Sequence, residues 1–193
     1  MAHATAIQIK IVLIDSDPPI WRRVVVPDSV SLASLHLVIQ VAMGWTNAHL
    51  HEFDVDGTRF TEFDEDIRNG ASDSTMVTLK ELGFDQPGRT VTYLYDFGDD
   101  WRHQITVEAI LAETPSEELP ACVDGDRACP PEDSGGVFGY EDLVEVLSNP
   151  DHPEYREYVA WVGGDFDPEA FDHELVNRTL RELFGQSDRE PVN

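Results

Sequence analysis

An α+β fold built on one central sheet follows from three features of this 193-residue sequence. Short segments alternate apolar and polar residues with the two-residue period of strands. One segment near the N-terminus switches to helical spacing, and the last third reads as successive amphipathic helices. The expectation is an antiparallel or mixed sheet of about five strands with covering helices and a helical C-terminal part, all in one domain over 1–193. Residues 115–193 are expected to form a helical lobe packed on that sheet rather than a separable domain.

Taken in order, residues 7–14 (IQIKIVLI) and 20–26 (IWRRVVV) read as two strands parted by the turn signal DSDPP. The next stretch changes period. Leu32, Leu35, Ile39, Ala42 and Met43 recur at helical spacing, with His36 and Gln40 four apart on a more polar face. Ser31 or Ser29 caps this helix and Gly44 ends it. HLHEFDVDGTRF then alternates so that an extended chain sets His49, His51, Phe53 and Val55 on one side, and Asp56-Gly57 marks a turn. Residues 61–77 read as a polar loop, and VTLKELG as a short helix or turn.

TVTYLYDF and WRHQITVEAIL form a hairpin through GDD, with Gly98 supplying the freedom the connection needs. Val91, Tyr93, Tyr95 and Phe97 share one side, and Trp101, His103, Ile105 and Val107 the partner face. ACVDGDRACPPEDSGGVFG is too broken by Gly, Pro and Asp for a regular element. Three helices follow, with Tyr140, Leu143, Val144 and Leu147 lining the first. Phe171, Leu175, Val176, Leu180 and Phe184 line the last, which starts at Asp167-Pro168-Glu169. Trp21, Trp45, Trp101 and Trp161 fall where elements begin, cross or end and are read as core packing.

Composition constrains function. At this length folding buries roughly 70% of the unfolded surface, so a 41% hydrophobic chain needs neither metal nor disulfide for its core. The 38 acidic residues against 13 basic ones give a net charge of -25, which repels phosphate backbones and disfavours direct nucleic-acid binding. The same charge favours a protein partner with a basic surface, or divalent cations. The N-terminus lacks the apolar region of a signal peptide and no run is long enough to span a membrane, so the reading is a cytoplasmic protein without membrane contact. Cys122 and Cys129 read as free thiols in a reducing compartment.

The strongest constellation is His49, His51, Asp100 and His103. Histidines two apart on a strand aim to the same side, neutral imidazole is a good ligand for a divalent transition metal, and the hairpin can bring Asp100 and His103 beside them. The same histidines, oriented by Asp99 or Asp100, also have the parts of an acid-base pair. The alternative is that the histidines hydrogen-bond locally at the sheet rim, or that His103 packs with the aromatics. The six-residue gap between Cys122 and Cys129 is wider than common zinc spacings, and DVDGTRFTEFDED lacks the pattern of a calcium helix-loop-helix.

The ordered set IWRRVVVP, AMGW, HLHEF, YLYDFGDDWRH, CVDGDRACPPEDSGG, GYEDL and WVGGDFDPEAFD resembles the plasmid ORF-three-like family named after a pRiA plasmid, related to passenger proteins of insertion elements. The resemblance runs from about Ile7 through Leu183. It implies an α+β fold, without assigning an activity or a cofactor. The resemblance implies a further cysteine in many members where this chain has Ser134, which weakens a thiolate site here. The favoured functional reading is an acidic accessory or protein-interaction domain associated with mobile elements. Its alternative is a metal-dependent hydrolase or nuclease-like enzyme using the histidine and aspartate residues.

Overall fold

Eight strands form one sheet in the computed structural model, which describes residues 3–185, so residues 1–2 and 186–193 of the expected 1–193 domain lie outside the described residues. In chain order the strands are β1 (His3–Leu13), β2 (Trp21–Pro27), β3 (His51–Val55), β4 (Thr58–Thr61), β5 (Ser72–Asp73), β6 (Thr90–Tyr95), β7 (Trp101–Pro115) and β8 (Ala121–Asp126). The helices are α1 (Leu32–Met43), α2 (Asp64–Arg68), α3 (Gly136–Ser148), α4 (Tyr155–Trp161) and α5 (His173–Phe184). The sheet order is β5-β4-β3-β6-β7-β1-β2-β8, antiparallel throughout except for the β4–β5 pair.

The five expected strands are present, and β4, β5 and β8 extend the sheet at its two ends. β8 is the larger departure, since it places part of the expected helical lobe in the sheet. ACVDGD carries no apolar alternation because only its Cys122 side is deeply covered. As an edge strand it is closed by α5: the Asn177 side chain accepts from the Cys122 amide at 2.9 Å and donates to the Cys122 carbonyl at 2.7 Å, standing in for a ninth strand.

The inner face of the sheet carries Ile7, Ile9, Ile11 and Leu13 from β1, Val24 and Val26 from β2, and Val91, Tyr93 and Tyr95 from β6. The outer face keeps Gln8, Arg23, Glu108 and Asp124 in a solvent-side ion-pair network. Helix α1 lies in the core cluster. Ser31 caps it by accepting from the Ser34 amide at 3.1 Å, and Gly44, at φ 97°, ends it as expected. Its polar residues face inward instead of outward: His36 and Gln40 are both buried, and Tyr93 is why. The Tyr93 hydroxyl donates to His36 Nδ1 (2.8 Å) and accepts from Gln40 Nε2 (3.1 Å). His36 Nε2 then donates to Asn47 Oδ1 at 2.8 Å, and the Asn47 amide donates to Gln40 Oε1 at 2.9 Å. Every group in this ring of bonds has a partner, so a polar helix face is stable inside.

Arg22 is the second buried polar feature. In IWRRVVV one arginine must face the core, and Arg22 is 1% exposed. Its guanidinium donates to the carbonyls of Trp21, Ala42, Asp126 and Arg127 at 2.7–2.9 Å and lies 4.1 Å from the centre of the Phe171 ring. It thereby joins β2, the end of α1, the chain after β8 and the approach to α5. Helix α5 starts at His173 rather than near Asp167. Asp172 supplies the cap by accepting from the Leu175 amide, while the Asp167 side chain accepts from the Glu169 amide ahead of the helix. Val176 and Leu180 are buried as expected, but Leu175 is exposed.

Candidate functional site

The β6–β7 turn decides which acidic groups meet. Asp96 and Asp100 take the left-handed backbone (φ 57° and 58°), and the Asp100 amide donates to the Asp96 carbonyl at 2.7 Å. Gly98 is not in that region. Its role is close approach, because a Cβ there would lie 3.2 Å from Asp96 Oδ1, the atom that accepts from the Gly98 amide at 2.8 Å. The turn begins at Asp96, which leaves Phe97 out of the buried row of Val91, Tyr93 and Tyr95.

Opposite this turn, the chain entering α3 is fastened by its glycines. Asp99 Oδ2 accepts from the Gly135 amide at 2.9 Å, and Gly136, at φ 72°, passes so close that a Cβ would sit 2.6 Å from the Asp99 carbonyl oxygen. This brings Glu132 and Asp133 over the start of β3. Gly136→Ala should therefore push the loop off the hairpin and cost about 1–3 kcal/mol. Urea denaturation checks it, and an unchanged midpoint would mean that the loop yields freely.

His49 stands at the meeting point. It occupies a bend two residues before β3, so the strand alternation expected to pair it with His51 does not reach it. The Ala48 and His49 amides donate to the Tyr95 hydroxyl at 3.0 and 3.3 Å, and that hydroxyl donates to Glu132. Glu132 Oε1 also accepts from the Thr46 amide and hydroxyl. Burial, followed by this carboxylate, pushes the Tyr95 phenol above its ordinary range and keeps it a donor.

Around the imidazole, Nδ1 lies 3.6 Å from Asp96 Oδ2, and Nε2 lies 3.2 Å from Asp133 Oδ1 and 3.7 Å from Glu132 Oε2. Among the described residues these carboxylates form no ion pair with lysine or arginine. One ligand atom from each of His49, Asp96 and Asp133 falls within 4.8 Å of the other two. Nε2 is shielded from solvent and makes no hydrogen bond among the described residues. An imidazole whose two nitrogens both lie among carboxylates, with Nε2 free of any hydrogen bond among the described residues, offers a mixed nitrogen and oxygen donor set for a metal ion.

Of the residues expected from sequence to act together, only His49 lies in this group. His51 points into the core and stacks on His36, with ring centres 3.5 Å apart and planes within 5°. His103 is fully buried beside Trp45 and Tyr93, and its Nδ1 donates to the Trp101 carbonyl at 3.0 Å. Asp100 lies on the surface and is held by Arg102 at 2.9–3.0 Å. The reason is register: His51 opposes Tyr95 and His103 opposes Tyr93, so both rings join the aromatic layer under the sheet while Asp100 stays in the turn. Burial lowers the pKa of His36 to about 4 and of His51 and His103 to about 3, so all three rings are neutral.

Sequence reasoning missed Asp96, Glu132 and Asp133 as partners of His49, since their meeting depends on a left-handed turn residue and a long-range loop contact. The thiols of Cys122 and Cys129 are free, and burial pushes both pKa values up, which favours the thiol over a ligating thiolate. In DVDGTRF, Asp54 accepts from Gly57 in a hairpin turn and Asp56 binds Arg89, so these carboxylates serve the turn.

A family model described as plasmid pRiA4b ORF-3-like protein matches residues 5–175. The chain is 37% identical to "Uncharacterized protein y4hQ" of Sinorhizobium fredii (strain NBRC 101917 / NGR234) over 181 residues, 93% of each chain. It is also similar to the crystal structure of a protein of unknown function, MM3350 of Methanosarcina mazei Go1. There the TM-score is 0.80 and the identity 35%, with 90% of this chain and 98% of the other covered.

Proposed function

This chain belongs to the plasmid pRiA4b ORF-3-like protein family, and we propose that it is a divalent-metal-dependent protein of hydrolytic type, with the metal on His49, Asp133 and Asp96 beside Glu132. The observation that carries the reading is His49 Nε2, solvent-shielded and unpartnered, turned toward Asp133 and Glu132 while Nδ1 faces Asp96. Three carboxylates around one imidazole overcompensate a doubly charged ion, and the mixed oxygen and nitrogen set suits a divalent transition metal. A divalent metal held by His49, Asp96 and Asp133 would supply Lewis acidity for activating water in a hydrolytic reaction. With a net charge of -25, the substrate is neutral or cationic rather than a polyanion.

Protein purified without an affinity tag should carry about one equivalent of metal after reconstitution, and Asp96→Asn should weaken binding roughly 10–100-fold by replacing a charged carboxylate ligand with a neutral amide. Elemental analysis after gel filtration reads both; no bound metal in the unaltered protein contradicts the proposal. A second reading, an accessory surface for a basic partner in mobile-element systems, is favoured by Phe138, which is 82% exposed on a strongly acidic chain. Among the described residues no helix is long and apolar enough to cross a membrane.

A further inference from the structure

From the cleft between α3 and α4 we infer that the protein has a second site, which binds a guanidinium group. The cleft has a volume of about 300 Å³, at the lower end of the range for small-ligand pockets. Its rim carries Asp142 and Glu157 together with Asp133, which it shares with the His49 group, its wall is Tyr158 and the half-exposed Trp161, and Leu143 forms an apolar floor. Among the described residues no basic side chain lines it. Ser134 also lines the cleft, and its Oγ, shielded from solvent, finds no hydrogen-bond partner among the described residues.

Each feature matches one property of a guanidinium. Its flat, weakly hydrated face stacks on an indole, its N–H edge presents paired donors to carboxylates, and its alkyl stem covers an apolar floor. An ammonium of equal charge has neither the plane nor the fork and is more strongly hydrated. Trp161 explains itself in this way. It ends the short helix α4 half in water, where core packing, the expectation for all four tryptophans, accounts well only for buried Trp45 and Trp101. The guanidinium has two sources, a small free compound or an arginine side chain of a peptide.

The test is calorimetric titration of the full chain with n-butylguanidine and n-butylamine, two monocations of similar size, in about 150 mM salt, where diffuse attraction is screened beyond ~8 Å. Chelator is present throughout, and the titration is repeated with His49→Ala, so that failure of the metal proposal leaves this result intact. Butylguanidine should bind one to one, about tenfold tighter than butylamine. Trp161→Ala and the pair Asp142→Asn/Glu157→Gln should each weaken it about tenfold. Asp66→Asn on α2 should change nothing, and Trp161→Phe should retain part of the affinity. A blocked Gly-Gly-Arg-Gly-Gly peptide binding more tightly than butylguanidine identifies a peptide arginine as the ligand; weaker binding identifies a small compound. Absence of saturable binding, equal affinity for the two cations, or variants that bind like the parent would each overturn the site.

Discussion

Lowering the pH from about 7 to 5 should destabilise this protein by several kcal/mol, before most of its carboxylates protonate. The cause is the set of buried neutral imidazoles of His36, His51 and His103, with pKa values of about 4, 3 and 3 in the fold. An unfolded histidine titrates near 6.5, so below that pH the unfolded chain binds protons that the folded chain refuses. Their contribution is intact above pH ~6.5 and is lost progressively as the pH falls toward 3–4. Each unit of difference is worth about 1.4 kcal/mol, and three rings act together. The net charge of -25 works in the other direction, since protonating carboxylates relieves repulsion, but that begins nearer pH 4–5. Urea midpoints at pH 7.5, 6.0 and 5.0 should fall in that order. A flat profile would mean that the rings can charge within the fold. The His36–His51 stack sharpens the expectation, because protonating either ring sets a cation 3.5 Å from its neighbour.

Arg22→Ala should be the most damaging single substitution, at about 3–5 kcal/mol. It orphans four backbone carbonyls, those of Trp21, Ala42, Asp126 and Arg127, and removes the cation from the Phe171 ring. Each unsatisfied buried acceptor costs ~1–3 kcal/mol, reduced where a carbonyl keeps another partner. Lysine should not rescue the loss, because one ammonium has three donors and no planar fork. Arg23→Ala, one residue away on the outer face, should cost under about 1 kcal/mol. Equal midpoints for the Arg22 and Arg23 variants in chemical denaturation would contradict this division of roles.

The strands that cross the sheet were legible because they are covered on one face and alternate accordingly: β1, β2, β3, β6 and β7 all announce themselves. β8 was not, since its edge is closed by the Asn177 side chain from far along the chain and not by an apolar pattern of its own. Helix α1 was legible in extent and caps, but not in the direction of His36 and Gln40. Spacing shows which residues share a face, whereas burial of that face rests on Tyr93 and Asn47 elsewhere in the sequence. The candidate site follows the same division. His49 stood out by residue type. Asp96 looked like one more turn residue, and Glu132 and Asp133 like members of an irregular loop, until Tyr95 and the Gly135–Gly136 contact with Asp99 brought them to the imidazole.

A competition titration tests the metal-binding role of the cluster around His49. The metal-free protein is titrated with Zn²⁺ against a chromophoric chelator, alongside His49→Ala and His103→Gln. One site per chain is expected, weakened at least about 100-fold by His49→Ala through loss of a ligand and left within about threefold by His103→Gln, whose ring lies in the closed core. Zn²⁺ binding that survives His49→Ala unchanged, or no stoichiometric binding by the parent protein, would contradict it.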